Sequence, residues 1–211
     1  MAVPQIETVE LSGRQAVITG SAAASARVLL RGDEGETYAV VVDDRGHFDL
    51  SITLPDDSVV LTPEVQQGQD TVKGPQRLVI LPDAGLAVIQ TDGGGSQRLT
   101  PAPLLDAIDS DGQAIVASGR GRPGDVVRIL VPGRYETTVK VGDDRRWSTG
   151  LAGMQDQGFT LVVNDRTFAY PGAEAGLDKE KVNRIEEVEG GWRLTRRLGR
   201  QAFMTSWFPN P

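Results

Sequence analysis

The 211-residue chain contains no cysteine. Disulfides, thiolate-held metals and a cysteine nucleophile are therefore excluded. It holds one histidine, His47, so a histidine-rich metal centre is excluded and any imidazole base has only this residue to use. His47 directly follows a turn, where an exposed strand start is expected, and no Gly-x-Ser-x-Gly elbow occurs for nucleophilic chemistry. Aromatic residues make up only 5% of the chain and no apolar run approaches the length of a membrane-spanning helix. Positive charge is also short. The net charge is −7, which denies the chain the field that nucleic acid or an anionic membrane surface requires. Met1-Ala2-Val3-Pro4-Gln5 lacks the basic start and apolar core of a secretory signal.

What is present favours strands. There are 25 glycines and 12 prolines, so turns are frequent, and the apolar set is rich in Val, Ile and Leu, with Thr beside them. A single register relates two parts of the chain ninety-nine residues apart: Gly13 with Gly112, Gly20 with Gly119, Val28 with Val127, Val40 with Val139, Val42 with Val141, Asp44 with Asp143 and Phe48 with Trp147. Glycines at turns and apolar residues at strand positions keep the same spacing, which is what duplication of a supersecondary unit produces.

Each copy reads as five short strands. In the first they centre on Glu7 to Leu11, Ala16 to Thr19, Arg27 to Leu30, Tyr38 to Val42 and Phe48 to Ile52. In the second they centre on Asp106 to Ile108, Ala114 to Ser118, Val126 to Leu130, Thr137 to Val141 and a strand opened by Trp147. Later strands are expected at Arg77 to Ile80 and Phe159 to Val163. Regularly spaced short strands with turn residues between them predict sandwiches. The expected fold class is all-β, two tandem β-sandwich modules with a C-terminal β-hairpin extension. The expected boundaries are 1–100, 101–172 and 173–211. Leu86 to Ile89 and Gln97 to Leu99 flank Asp92-Gly93-Gly94-Gly95-Ser96, which reads as a hairpin with a flexible tip. Pro171-Gly172 reads as a break, and Asp178 to Lys181 as one helical turn.

Ser118-Gly119-Arg120-Gly121-Arg122-Pro123-Gly124-Asp125-Val126-Val127 and Val141-Gly142-Asp143-Asp144-Arg145-Arg146-Trp147-Ser148 resemble the bacterial immunoglobulin-like (Big-type) tandem modules of cell-envelope proteins. The chain is similar, more loosely, to carboxypeptidase regulatory-like domains. The first copy departs where Ala24-Ser25 replaces Pro-Gly and where Phe48 replaces Trp. The resemblance implies an immunoglobulin-like fold, a periplasmic or cell-surface location with the targeting segment absent from this chain, and no catalytic residues.

Candidate sites follow from residue type. Asp43-Asp44, Asp56-Asp57 and Asp143-Asp144 offer paired carboxylates, but neighbours on a strand point to opposite faces, so turn chemistry explains them better. Asp109-Ser110-Asp111-Gly112 opens like a calcium loop, yet Ala114 and Arg120 stand where an EF-hand needs glycine and glutamate. Arg120-Gly121-Arg122-Pro123 matches a minor-groove hook core but lies on a repeat loop of an acidic chain, and Arg31-Gly32-Asp33 is a three-letter adhesion match common by chance; both are discounted. The tail is the most individual region. Trp192, Arg193, Arg197, Trp207 and Phe208 combine the residue types that anchor interfaces and stack on sugars; they equally suit a small hairpin core with snorkelling arginines. The expectation is a non-enzymatic module that binds, adheres to or spaces a protein or glycan partner, with no cofactor, no metal, no nucleic acid and no membrane insertion. The alternatives are a glycan hydrolase using scattered carboxylates, or an accessory domain of a longer protein.

Overall fold

The computed structural model describes residues 3–67, 70–91, 94–102, 104–173, 183–198 and 202–210. The expected helical turn at Asp178 to Lys181 lies outside them. Among the described residues the regular structure is entirely β. The chain divides into two compact units, one of residues 1–94 and 98–100, the other of residues 95–97 and 101–211.

In the first unit the strands are β1 (Gln5–Ser12), β2 (Gln15–Ser21), β3 (Arg27–Gly32), β4 (Thr37–Val41), β5 (His47–Thr53), β6 (Val59–Gln67), β7 (Asp70–Lys73), β8 (Gln76–Leu81) and β9 (Leu86–Thr91), with β10 (Gln97–Arg98) following. One sheet has the order β1-β2-β5; the other runs β10-β9-β8-β6-β3-β4 with β7 beside β6. Alternation along the strands sends Ile6, Val9, Ile18, Phe48 and Ile52 from one sheet against Val28, Leu30, Leu61, Val65, Leu78 and Ile80 from the other. A core filled from two sheet faces is a sandwich.

The second unit contains β11 (Leu105–Ser110), β12 (Ile115–Arg120), β13 (Val126–Val131), β14 (Tyr135–Lys140), β15 (Arg146–Gly150), β16 (Gln157–Val163), β17 (Arg166–Gly172), β18 (Asn183–Val188), β19 (Gly191–Arg197) and β20 (Phe203–Pro209). Its sheets run β15-β12-β11-β20-β19-β18 and β14-β13-β16-β17. Leu105, Ile108, Ala117, Trp147 and Trp207 pack against Val127, Ile129, Leu161, Val163, Phe168 and Tyr170. The tail joins this sheet: β20 pairs antiparallel with β11, Ile108 opposite Trp207, and so extends it.

The same backbone bonds recur ninety-nine residues apart. Phe48 pairs with Gly20 and Trp147 with Gly119, and the first ladder of each unit carries a register shift at the same place, Ile6/Thr8 and Leu105/Ala107. Val42 N–H donates to Ala26 O, and Val141 N–H to Asp125 O. Gly46 N–H donates to Asp43 O, and Arg145 N–H to Gly142 O. Positive φ angles fall at Gly13 and Gly112, at Ser25 and Gly124, and at Gly46 and Arg145.

Gly20 and Gly119 show why a residue type is kept at this point of the module. A Cβ on Gly20 would lie 2.2 Å from Gln5 O and 2.4 Å from the Phe48 ring, and one on Gly119 2.1 Å from Leu104 O and 2.6 Å from the Trp147 ring. The aromatic ring lies where a side chain would be, so the glycine and the ring specify each other.

β6 and β17 fall where sequence patterning gives no strand. Both contain proline, Pro63 and Pro171. Pro63 lies in a strand flanked on both sides, but on one side β6 pairs with β8 through Val59 to Leu61 and with β7 only from Glu64 onward. The missing N–H falls at that change of partner. β17 lies at the edge of its sheet, where proline is tolerated.

Candidate functional site

The tail residues separate by face. Directly paired residues share a face of a sheet, so Trp207, opposite both Ile108 and Arg193, faces the core, and Phe208, opposite Trp192, faces away. Trp207 and Phe208 are each 1% exposed. Neither ring is available to a partner, which corrects the expectation for these two residues. Trp207 packs in the core: it meets Tyr170 edge-on at 6.0 Å, and Tyr170 meets Phe159 at 4.9 Å. Burial pushes the Tyr170 hydroxyl well above its ordinary range, and among the described residues neither that oxygen nor Trp207 Nε1 has a hydrogen-bond partner.

The other three tail candidates are half-buried. Arg193 is committed within the sheet, its guanidinium 2.7 Å from Glu186 and donating to Gly172 O. Arg197 lies over the Phe203 ring at 5.2 Å. Trp192 pairs across to Glu187 on one side and Phe208 on the other. The five residues are therefore not one surface.

The calcium-like segment resolves into three separate functions. Asp109 is buried and accepts bonds from Ser96 N–H and Ser96 Oγ, both at 2.6 Å, while Ser118 Oγ donates to Ser96 O. Burial raises the Asp109 carboxyl above the usual carboxylate range, and the serine donors oppose that rise. Asp111 accepts from Gln113 and Ala114 N–H groups, which hold its carboxyl low. Ser110 Oγ donates to Asp156. Ser96, expected in a flexible tip, is fully buried, because Asp109 and Ser118 fix it; Asp92 and Gly93 lie outside the described residues.

The turn aspartates have local duties. Asp43 accepts from Arg45 and His47 N–H groups, chiefly the latter, and its carboxyl is lowered accordingly. Asp144 accepts from Arg146 N–H. His47 is exposed at the start of β5. In the Arg31-Gly32-Asp33 segment, Arg31 is held by the buried Glu64 at 2.6 Å.

One cluster has no mark in the linear sequence. Asp106 is 1% exposed and bridges two guanidiniums, Arg120 Nε at 3.0 Å and Arg146 Nη1 at 3.1 Å. Both arginines reach an open groove of about 430 Å³, lined by Ala102, Leu104, Arg120, Gly121, Asp144, Arg145 and Arg146. Burial lowers the Arg146 pKa from its ordinary value, and the nearby Asp106 acts in the opposite sense. The signal was cross-strand: Arg120 and Arg146 are directly paired on β12 and β15, and only the duplicated register could have brought them together.

No protein-family model matches the chain, and no curated protein is significantly similar to it.

Proposed function

We propose that the chain is a pair of tandem immunoglobulin-like modules from a bacterial cell-envelope or surface protein, placed in the periplasm or outside the cell. Its work is to bind or space a protein or glycan partner without chemistry. The observation that carries this reading is the backbone pattern recurring ninety-nine residues apart. In each unit the first, second and fifth strands form one sheet and the third, fourth and sixth lie together in the other. Two antiparallel sheets around one core, with the first, second and fifth strands together, support an immunoglobulin-like reading.

Four of the described carboxylates are already committed to other groups, which supports the binding reading. A glycosidase needs two carboxyl groups facing each other across a cleft. Here Asp106 is held between arginines, Asp109 is buried under serines, and Asp43 and Asp111 cap turns. The charged groove beside β15 offers a partner a contact of definite chemistry, and the half-exposed Trp192 and Arg197 offer a smaller one.

The test is co-sedimentation of the purified chain with cell-wall and outer-membrane fractions, with released reducing ends measured in the same tubes. Co-sedimentation without new reducing ends is expected. Sustained release of reducing ends, or a chain that stays wholly in the supernatant, contradicts the reading.

A further inference from the structure

The groove of the second unit has a feature the first unit lacks. At the corresponding positions the first unit carries Ser21 for Arg120, Gly46 for Arg145, His47 for Arg146 and Glu7 for Asp106. The backbone at that turn is the same, with φ of 88° at Gly46 and 66° at Arg145. Glycine adopts this left-handed region freely, whereas a side chain there is strained. The second unit nevertheless places an arginine at this point, and the turn holds it firmly. Arg145 N–H donates to Gly142 O, and Arg145 O accepts from Gly121 N–H, both at 3.0 Å.

The charges in the groove do not cancel. Among the described residues, three arginines, Arg120, Arg145 and Arg146, stand at the groove with two carboxylates, Asp144 in its lining and Asp106 behind it. The setting is partly shielded from water, with arginine side chains 33% and 25% exposed for Arg120 and Arg146. A guanidinium in such a place gains more from an oxyanion than it would in bulk water. That balance suits a monoanion such as a carboxylate better than a phosphate dianion. The groove is at the small end of ligand pockets, and Ala102, Leu104 and Gly121 leave room against the arginines for a small ring.

We propose that the Arg120–Arg145–Arg146 groove of the second unit binds the carboxylate of an acidic sugar. This inference deepens the binding reading above and rests on its glycan arm. The planar guanidiniums supply paired donors to the carboxylate, and Asp106 holds two of them in place before the ligand arrives.

Titration calorimetry of the full chain with trigalacturonate tests it, with maltotriose, a glutamate-rich peptide and inorganic phosphate as parallel arms. Trigalacturonate is expected to bind, and binding is expected to weaken as salt is added. Arg145→Gly restores the residue type of Gly46, so its melting temperature should hold while trigalacturonate binding falls about ten-fold, the loss of one charge-assisted contact. Arg145→Asn, which also tolerates the left-handed region, provides a second folded variant. No binding of trigalacturonate, or equal binding by both variants and the native chain, overturns the site. Equal or tighter binding of maltotriose, the glutamate peptide or phosphate overturns the sugar-carboxylate assignment. The two proposals fail separately. A chain that sediments with envelope fractions equally well as Arg145→Gly keeps the module reading and loses this site. A chain that binds trigalacturonate yet ignores envelope fractions keeps the site and loses the location.

Discussion

β1 and β11 hold the same place in their two units and pair alike with the strand that follows, but their other sides differ. β1 is the edge of a three-stranded sheet, and its side chains alternate between buried and exposed over much of its length. β11 has a neighbour on each side, β12 and β20, and every one of its residues is buried. The sharpest contrast is Glu10, exposed on β1, against Asp109, buried on β11 at the corresponding position. One strand design therefore serves two environments. The inward positions stay apolar in both, and only the outward positions register what has been added around the strand.

The comparison is broken or sharpened first at the shared aromatic. Phe48→Ala and Trp147→Ala should each cost about 3–5 kcal/mol, since both rings are buried and their removal leaves a cavity beside a glycine. Urea unfolding of the full chain measures this. An unchanged melting temperature for Trp147→Ala contradicts its placement, and a large loss in one unit with none in the other contradicts the equivalence.

A slightly smaller effect is expected on the other side of the same contact. Gly20→Ala and Gly119→Ala each force a Cβ into a carbonyl oxygen and a ring, at a cost of about 3 kcal/mol, the upper range for overpacking. Denaturation midpoints unmoved by either substitution show that ring and glycine do not pack as described.

The smallest effect separates the units. Asp109 has its carboxyl raised by burial. A carboxyl with a raised folded pKa takes up a proton on folding. Its contribution is fully present below the unfolded value of about 4 and is lost as pH rises through the folded value. Stability should accordingly decline with rising pH above that point, by at most about 1.4 kcal/mol per pH unit. Asp109→Asn should flatten this slope, because its amide can donate to Ser96 Oγ while its oxygen accepts from Ser96 N–H. Melting temperatures across the acidic range measure this, and an identical slope for the native chain and Asp109→Asn contradicts the buried-carboxyl account.

Much of the strand pattern was legible because turns and alternation are local. Glu7 to Leu11, Arg27 to Leu30 and Phe159 to Val163 all fall inside observed strands. β6 and β17 were not legible, since Pro63 and Pro171 argue against strands unless the pairing of each neighbour is known. The tail aromatics carried the right residue types for either a surface or a core. Only the pairing of β20 with β11 decides that Trp207 faces inward. The groove was invisible for a related reason: Asp106, Arg120 and Arg146 lie on three strands, and the bonds joining them run across the sheet.

The most direct measurement is an experimental structure of the chain with residues 5–53 superposed on residues 104–152. The strands β1 to β5 should overlay β11 to β15 in order, with Gly20 under Phe48 where Gly119 lies under Trp147, and with the register shift of the first ladder at the same residue. Strands that overlay in another order, or rings that leave their glycines uncovered, contradict two copies of one module.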